Sequence, residues 1–115
     1  MVSVLVVDDE SDIREAVSEL LADEGYAVLG AASGAEALKQ LRDHRPALVL
    51  LDLMMPGMNG WEFRAAQKDD PDLSKIPVIV LSALGRTPGL DVDGYLEKPF
   101  EVQQLLDAVR AQVAA

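Results

Sequence analysis

With 115 residues, half of them hydrophobic and 26% charged, the chain has the apolar material for one well-filled domain over residues 1–115, which excludes both a second domain and a disordered polymer. Ten basic residues against twenty acidic ones give a formal charge of −10 with no local lysine or arginine cluster, which argues against direct nucleic-acid binding, and the absence of cysteine removes disulfides, thiol nucleophiles and thiolate metal sites. No apolar run approaches the roughly 20 residues of a membrane span, and Val2–Val7 is short, lacks a basic flank and runs into acids, unlike a secretory leader, so a cytoplasmic protein away from membranes is expected.

Val4–Val7 is a β-branched and apolar run that stops at Asp8-Asp9, the pattern of a buried strand. Ser11 or Asp12 is positioned to cap a following helix, with Glu15 three residues after Asp12, and Ile13, Val17, Leu20 and Leu21 form its apolar stripe up to Gly25. A weaker strand covers Tyr26–Gly30. Ser33 and Glu36 frame the next helix, striped by Ala37, Leu38 and Leu41 and closed by Pro46. Ala47–Leu51 is uninterrupted apolar sequence, as in a strand covered on both faces, and it ends in Asp52. Met54–Gly60, punctuated by Pro56, Gly57 and Gly60, reads as loop. A helix from about Trp61 to Lys68 follows, with Trp61 and Phe63 read as packing residues, then a strand at Pro77–Leu81 that ends in Ser82. A short last strand near Tyr95–Leu96 reaches Lys98-Pro99, and Val102, Leu105, Leu106, Val109 and Val113 space out a final amphipathic helix. His44, beside Arg45 and Pro46 at a helix end, reads as a surface residue.

Strands alternate with helices throughout, which predicts a parallel sheet with helices on both faces. One segment breaks the rule: Ala83–Val92 is ten residues long and contains Gly85, Pro88 and Gly89, too little for a helix with two connections, so a loop or single turn is expected. In an open parallel sheet the carboxyl ends of the strands share one edge. Asp8, Asp9, Asp52, Ser82 and Lys98 all follow strands and would meet there. Crowded carboxylates repel one another and call for a hard cation, for which oxygen ligands with retained water suit magnesium. A lysine and a hydroxyl beside them can hold an anionic group attached to one carboxylate, the requirement of in-line phosphoryl transfer onto an aspartate.

On the motifs Val6-Val7-Asp8-Asp9-Glu10, Leu51-Asp52-Leu53-Met54-Met55-Pro56, Gly57-Met58-Asn59-Gly60, Leu81-Ser82-Ala83 and Lys98-Pro99-Phe100, which span the chain, the sequence resembles the receiver domain of bacterial two-component response regulators. The resemblance implies an α/β, flavodoxin-like, doubly wound five-stranded parallel sheet of order 2-1-3-4-5, with the fourth helix here shortened or replaced by a loop. It implies that Asp52 is the phosphoacceptor, that Asp9 binds Mg2+ directly with Asp8 acting through water, and that the main-chain carbonyl of Met54 is a further ligand. Ser82 resembles the switch hydroxyl, Lys98 the phosphoryl-pairing lysine and Tyr95 the aromatic switch residue, and Lys98-Pro99 resembles the family's cis peptide. The implied partners are a sensor histidine kinase or phosphotransfer protein as donor and an unidentified downstream protein. The chemistry would be confined to self-phosphorylation and self-dephosphorylation at Asp52, without turnover of a separate substrate.

Two departures from the family pattern carry expectations. The residues two past the acceptor and two past the switch hydroxyl tune hydrolysis in the family; here they are Met54 and Leu84, both apolar, which implies slow self-dephosphorylation. The short Ala83–Val92 segment implies a remodelled output face that does not support the family's common symmetric dimer. The rivals are a small magnesium-dependent phosphatase or phosphotransferase with an aspartyl nucleophile, the receiver part of a longer regulator, and an interaction module independent of phosphorylation.

Overall fold

Val4–Val7, Leu48–Leu51 and Val78–Leu81 have almost no access to solvent on either face, so these runs must be interior strands of a covered sheet. The computed structural model describes residues 2–53, 57–82 and 92–113 and bears this out. Its elements, in chain order, are β1 (Ser3–Val7), α1 (Ser11–Asp23), β2 (Ala27–Ala31), α2 (Gly34–His44), β3 (Leu48–Asp52), α3 (Gly60–Lys68), β4 (Val78–Ser82), β5 (Gly94–Glu97) and α4 (Val102–Val113). The five strands form one parallel sheet in the order β2-β1-β3-β4-β5. The expected architecture is therefore observed. The expectation of a missing helix falls on 83–92, of which all but Val92 lies outside the described residues.

Alternation along the central strands divides the core in two. Leu5, Val7, Val49, Leu51, Val78 and Val80 face α2 and α3, where Ala37, Leu38, Leu41 and Phe63 close over them. Val4, Val6, Leu48, Leu50, Ile79 and Leu81 face α1 and α4, where Val17, Leu21, Leu105, Leu106 and Val109 do the same. Phe63 is fully buried, as its reading as a packing residue requires, and Trp61 packs half-buried against the same cluster. His44 is exposed at the end of α2.

The helix starts differ in how they are made. Neither Ser11 nor Asp12 caps α1: its N-cap is Glu10, with no side-chain cap. The reason is upstream, because the Asp8 carboxylate already accepts the Glu10 N–H at 3.0 Å and turns the chain into the helix. Ser33 does cap α2, accepting from the Glu36 N–H at 3.2 Å. α3 begins at Gly60, one residue earlier than Trp61, on a reciprocal box in which Asn59 Oδ1 accepts from Glu62 N and Glu62 Oε1 accepts from Asn59 N. At the far end of the sheet Asp93 clips β5 to β4, donating its N–H to Val78 O and accepting from Val78 N through Oδ2 at 2.8 Å.

Candidate acidic site at the carboxyl edge of the sheet

Because β1 and β3 are neighbours with Val7 opposite Leu51, the residues that follow them, Asp8 and Asp52, emerge side by side. Both are buried, at 1% and 7% exposure, whereas Asp9 faces solvent. One carboxylate oxygen from each of Asp8, Asp9 and Asp52 lies within 4.8 Å of the others. Asp8 is held tightly: its N–H donates to Ala31 O at 3.1 Å, Arg14 Nη1 donates to its main-chain oxygen at 2.7 Å, and Oδ1 takes the Glu10 N–H.

The other wall of the crevice comes from β4 and the residue after β5. Ser82, 2% exposed, ends β4 opposite Glu97. Lys98 N donates to Ser82 O at 2.9 Å, and the Lys98-Pro99 peptide is cis, as the resemblance implied. The ammonium of Lys98 stands 3.3 Å from Asp8 Oδ2 and 3.9 Å from Asp52 Oδ2, so it bridges the two buried carboxylates and lies closer to Asp8.

One lysine cannot neutralise three carboxylates at this spacing, and like charges so close favour binding a further cation. The donors are all hard oxygens, two of them buried and the third open to solvent, which fits a small divalent ion that keeps part of its water shell. The residues present thus suit magnesium, which Asp8, Asp9 and Asp52 could hold.

The loop after Asp52 is pinned at both described ends. Gly60 N donates to Leu53 O at 3.0 Å, and a Cβ on Gly60 would stand 2.8 Å from the Leu53 Cα, a distance only glycine permits. Met58 lies against Gly34 at the start of α2, where a Cβ would meet its side chain at 2.8–2.9 Å. Gly57 adopts φ +78°, in the left-handed region. Met54, whose carbonyl was expected at the cation, and Leu84 lie outside the described residues.

The structure therefore brings Asp8, Asp9, Asp52, Ser82 and Lys98 to one edge. Tyr95, in β5, is half-buried against the α2–α3 side of the core. Two features escaped the sequence reading. The Asn59–Glu62 box has a legible signature, a capping residue with glutamate three places on, which was masked by the glycines around it. Arg14 has none, since its contact with Asp8 exists only through the fold.

Comparison with known proteins gives the same picture. The model of the response regulator receiver domain matches residues 4–110. The chain is 39% identical to the response regulator Rre1 of Synechocystis over 121 residues, covering 98% of this chain and 52% of that protein. It is 37% identical to the DNA-binding response regulator MtrA of Mycobacterium tuberculosis over 118 residues, covering 96% and 50%. The chain thus spans about half the length of these curated relatives. Among solved structures, the chemotaxis protein CheY4 of Vibrio cholerae superposes with a TM-score of 0.90 at 34% identity over 97% of this chain and 98% of that one. The receiver domain of a signal transduction histidine kinase from Syntrophus aciditrophicus gives 0.92 at 29% identity, over 99% and 91%. A match over nearly the whole domain, on a sheet of the same order, settles the family: the chain belongs to the receiver domains of two-component response regulators.

Proposed function

We propose that Asp52 is the phosphoacceptor of this receiver domain and that the phosphoryl group arrives from a phosphohistidine on a sensor kinase or phosphotransfer protein. The observation that supports it most is the convergence of Asp8, Asp9 and Asp52 oxygens within 4.8 Å, with the Lys98 ammonium on two of the three. A carboxylate oxygen of Asp52 forms the new P–O bond as the P–N bond to the donor histidine breaks, and the imidazole leaves with the electron pair. Magnesium bound by Asp8, Asp9, Asp52 and the Met54 carbonyl would supply charge neutralisation for the phosphoryl oxygens. Lys98 pairs with the transferred group, and Ser82 turns toward it as the switch hydroxyl, with Tyr95 following. The added group carries about −1.5 to −2 charges and three acceptor oxygens, which biases a two-state surface read by a downstream protein. Water then cleaves the acyl phosphate, releasing inorganic phosphate and restoring Asp52. The domain acts in the cytoplasm, on itself, and touches neither membrane nor nucleic acid directly.

Receiver domains occur here in relatives twice as long, which favours a second setting for the same chemistry: the receiver part of a longer regulator. The deciding experiment is magnesium-dependent binding of beryllofluoride. One equivalent per chain, lost in Asp52→Asn, with phosphate mapped to Asp52 by mass spectrometry after small-donor phosphorylation, is expected. Multiple turnover on a free phosphoester, or phosphate on another side chain, would refute the reading in favour of a phosphatase or an unrelated role.

Met54 and Leu84 offer no group to orient the attacking water, so the phosphorylated domain should be long-lived. Met54→Asn is expected to shorten that lifetime roughly tenfold, the effect of about 1.4 kcal/mol from one added hydrogen bond. A fast wild-type decay that this substitution leaves unchanged would count against it.

A further inference from the structure

Asp9 is the exposed member of the acidic cluster, and no hydrogen bond or ion pair to a described residue holds its carboxylate. What the structure fixes of it is therefore the starting point, the Cα–Cβ bond, and the peptide unit that leads into it is the one joining Asp8 to Asp9. That unit is planar, so whatever fixes the Asp8 carbonyl oxygen also fixes the amide nitrogen and Cα of Asp9. Arg14 does this: its Nη1 donates to Asp8 O at 2.7 Å, the short end of the range for a charge-assisted bond. The reach is prepared by β2. Gly30 lies under the arginine stem, where a Cβ would stand 3.5 Å from Arg14 Cδ, and the next residue, Ala31, accepts the Asp8 N–H.

We infer that Arg14 is a positioning residue for the acidic site: by holding the Asp8 carbonyl it aims the otherwise untethered Asp9 carboxylate at the cation position. The inference rests on the reading of the cluster as a magnesium site. It makes a prediction opposite in sign to the plain electrostatic one. As a charge alone, a guanidinium beside three carboxylates weakens the binding of a dication, and its removal would tighten it. As a positioning group, its removal loosens the ligand set and weakens binding, and groups behind metal ligands typically carry about 10–100-fold in affinity.

Magnesium titrations followed by amide chemical shifts, with melting curves in EDTA alongside, separate the two for Arg14→Met and Gly30→Val. Arg14→Met keeps the stem and drops the charge and the donor. Gly30→Val keeps the guanidinium, sets a Cβ at contact distance from the stem, 3.5 Å from Arg14 Cδ, and adds γ-methyl groups beyond it to displace the stem, at an exposed strand position where a β-branched residue is welcome. Both variants are expected to bind magnesium about tenfold more weakly, with melting in EDTA little changed. Affinity equal to or tighter than wild type in Arg14→Met would overturn the inference. So would a Gly30→Val variant with wild-type affinity, or a loss of thermal stability unaccompanied by a loss of magnesium binding. If Arg14→Met does not fold, Gly30→Val alone decides. Wild-type protein that binds no magnesium would defeat the underlying functional reading instead, before any variant is compared.

Discussion

Lys98 serves two carboxylates at once, and the closer of them, Asp8, is the one more completely withdrawn from water. Removing one partner of a buried ionic contact leaves the other charge under-compensated, which costs more than the contact contributes. Lys98→Ala is accordingly expected to lose about 1–3 kcal/mol of stability in EDTA, since it leaves the Asp8 carboxylate to the Glu10 N–H. The same variant should bind magnesium more tightly, because a competing cation has gone. Melting in EDTA and in saturating magnesium checks both: the deficit should narrow on adding the ion, and a constant deficit would show that Lys98 acts on stability elsewhere. At this scale most of the site could be read from the chain, because each of Asp8, Asp52, Ser82 and Lys98 interrupts or follows an apolar run and strand ends in a parallel sheet share an edge. Arg14 could not, since an arginine four residues into a helix has the same signature whether it meets solvent or a carbonyl across β2.

Among the elements, the connection from β3 to α3 shows how a helix start can shape the site beside it. Gly60 opens α3 and donates to Leu53, so the two ends of the connection are tied to each other. Gly60→Ala would force its Cβ into the Leu53 main chain, an overpacking worth about 1–3 kcal/mol. A melting point lower by several degrees, together with weaker magnesium binding, is expected; weakened stability with unchanged magnesium affinity would mean that the clasp shapes α3 and not the loop. The element boundaries also show what pattern alone does not carry. Periodicity located every described helix and strand, yet the start of α1 was assigned to a side-chain cap at Ser11 or Asp12 that the structure does not use. The chain there obeys a longer-range demand, since Asp8 at the sheet edge already takes the Glu10 N–H. In α3 the reverse happened: a complete local box at Asn59 and Glu62 was present and was obscured by loop-forming neighbours.

For the molecule as a whole, strand order does what no single residue can. Placing β1 next to β3 sets Asp8 beside Asp52, and placing β4 and β5 beyond them lets Lys98 reach back over the edge. The order was legible only through family resemblance, because alternation of strands and helices fixes a parallel sheet without fixing which strand sits in the middle. The ten residues of 83–92, with Gly85, Pro88 and Gly89 among them, are expected to be a loop or single turn on the output face, and on that expectation a beryllofluoride-loaded domain should remain monomeric in small-angle scattering. A symmetric dimer built on β5 and this segment would defeat the expectation.

β5 has a consequence of its own. It is a four-residue strand at the rim of the sheet, half-exposed along most of its length, laddered to β4 alone and fastened at its start by Asp93. Rim strands are where native proteins open first and most often, by local fraying that leaves the interior intact. Such an opening would carry Lys98 away while Asp8 and Asp52, which follow or end interior strands, stayed put. The positive half of this acidic edge is therefore tied to a rim strand and the negative half to interior ones, so hydrogen-exchange rates in β5 would report how often the acids stand without their lysine.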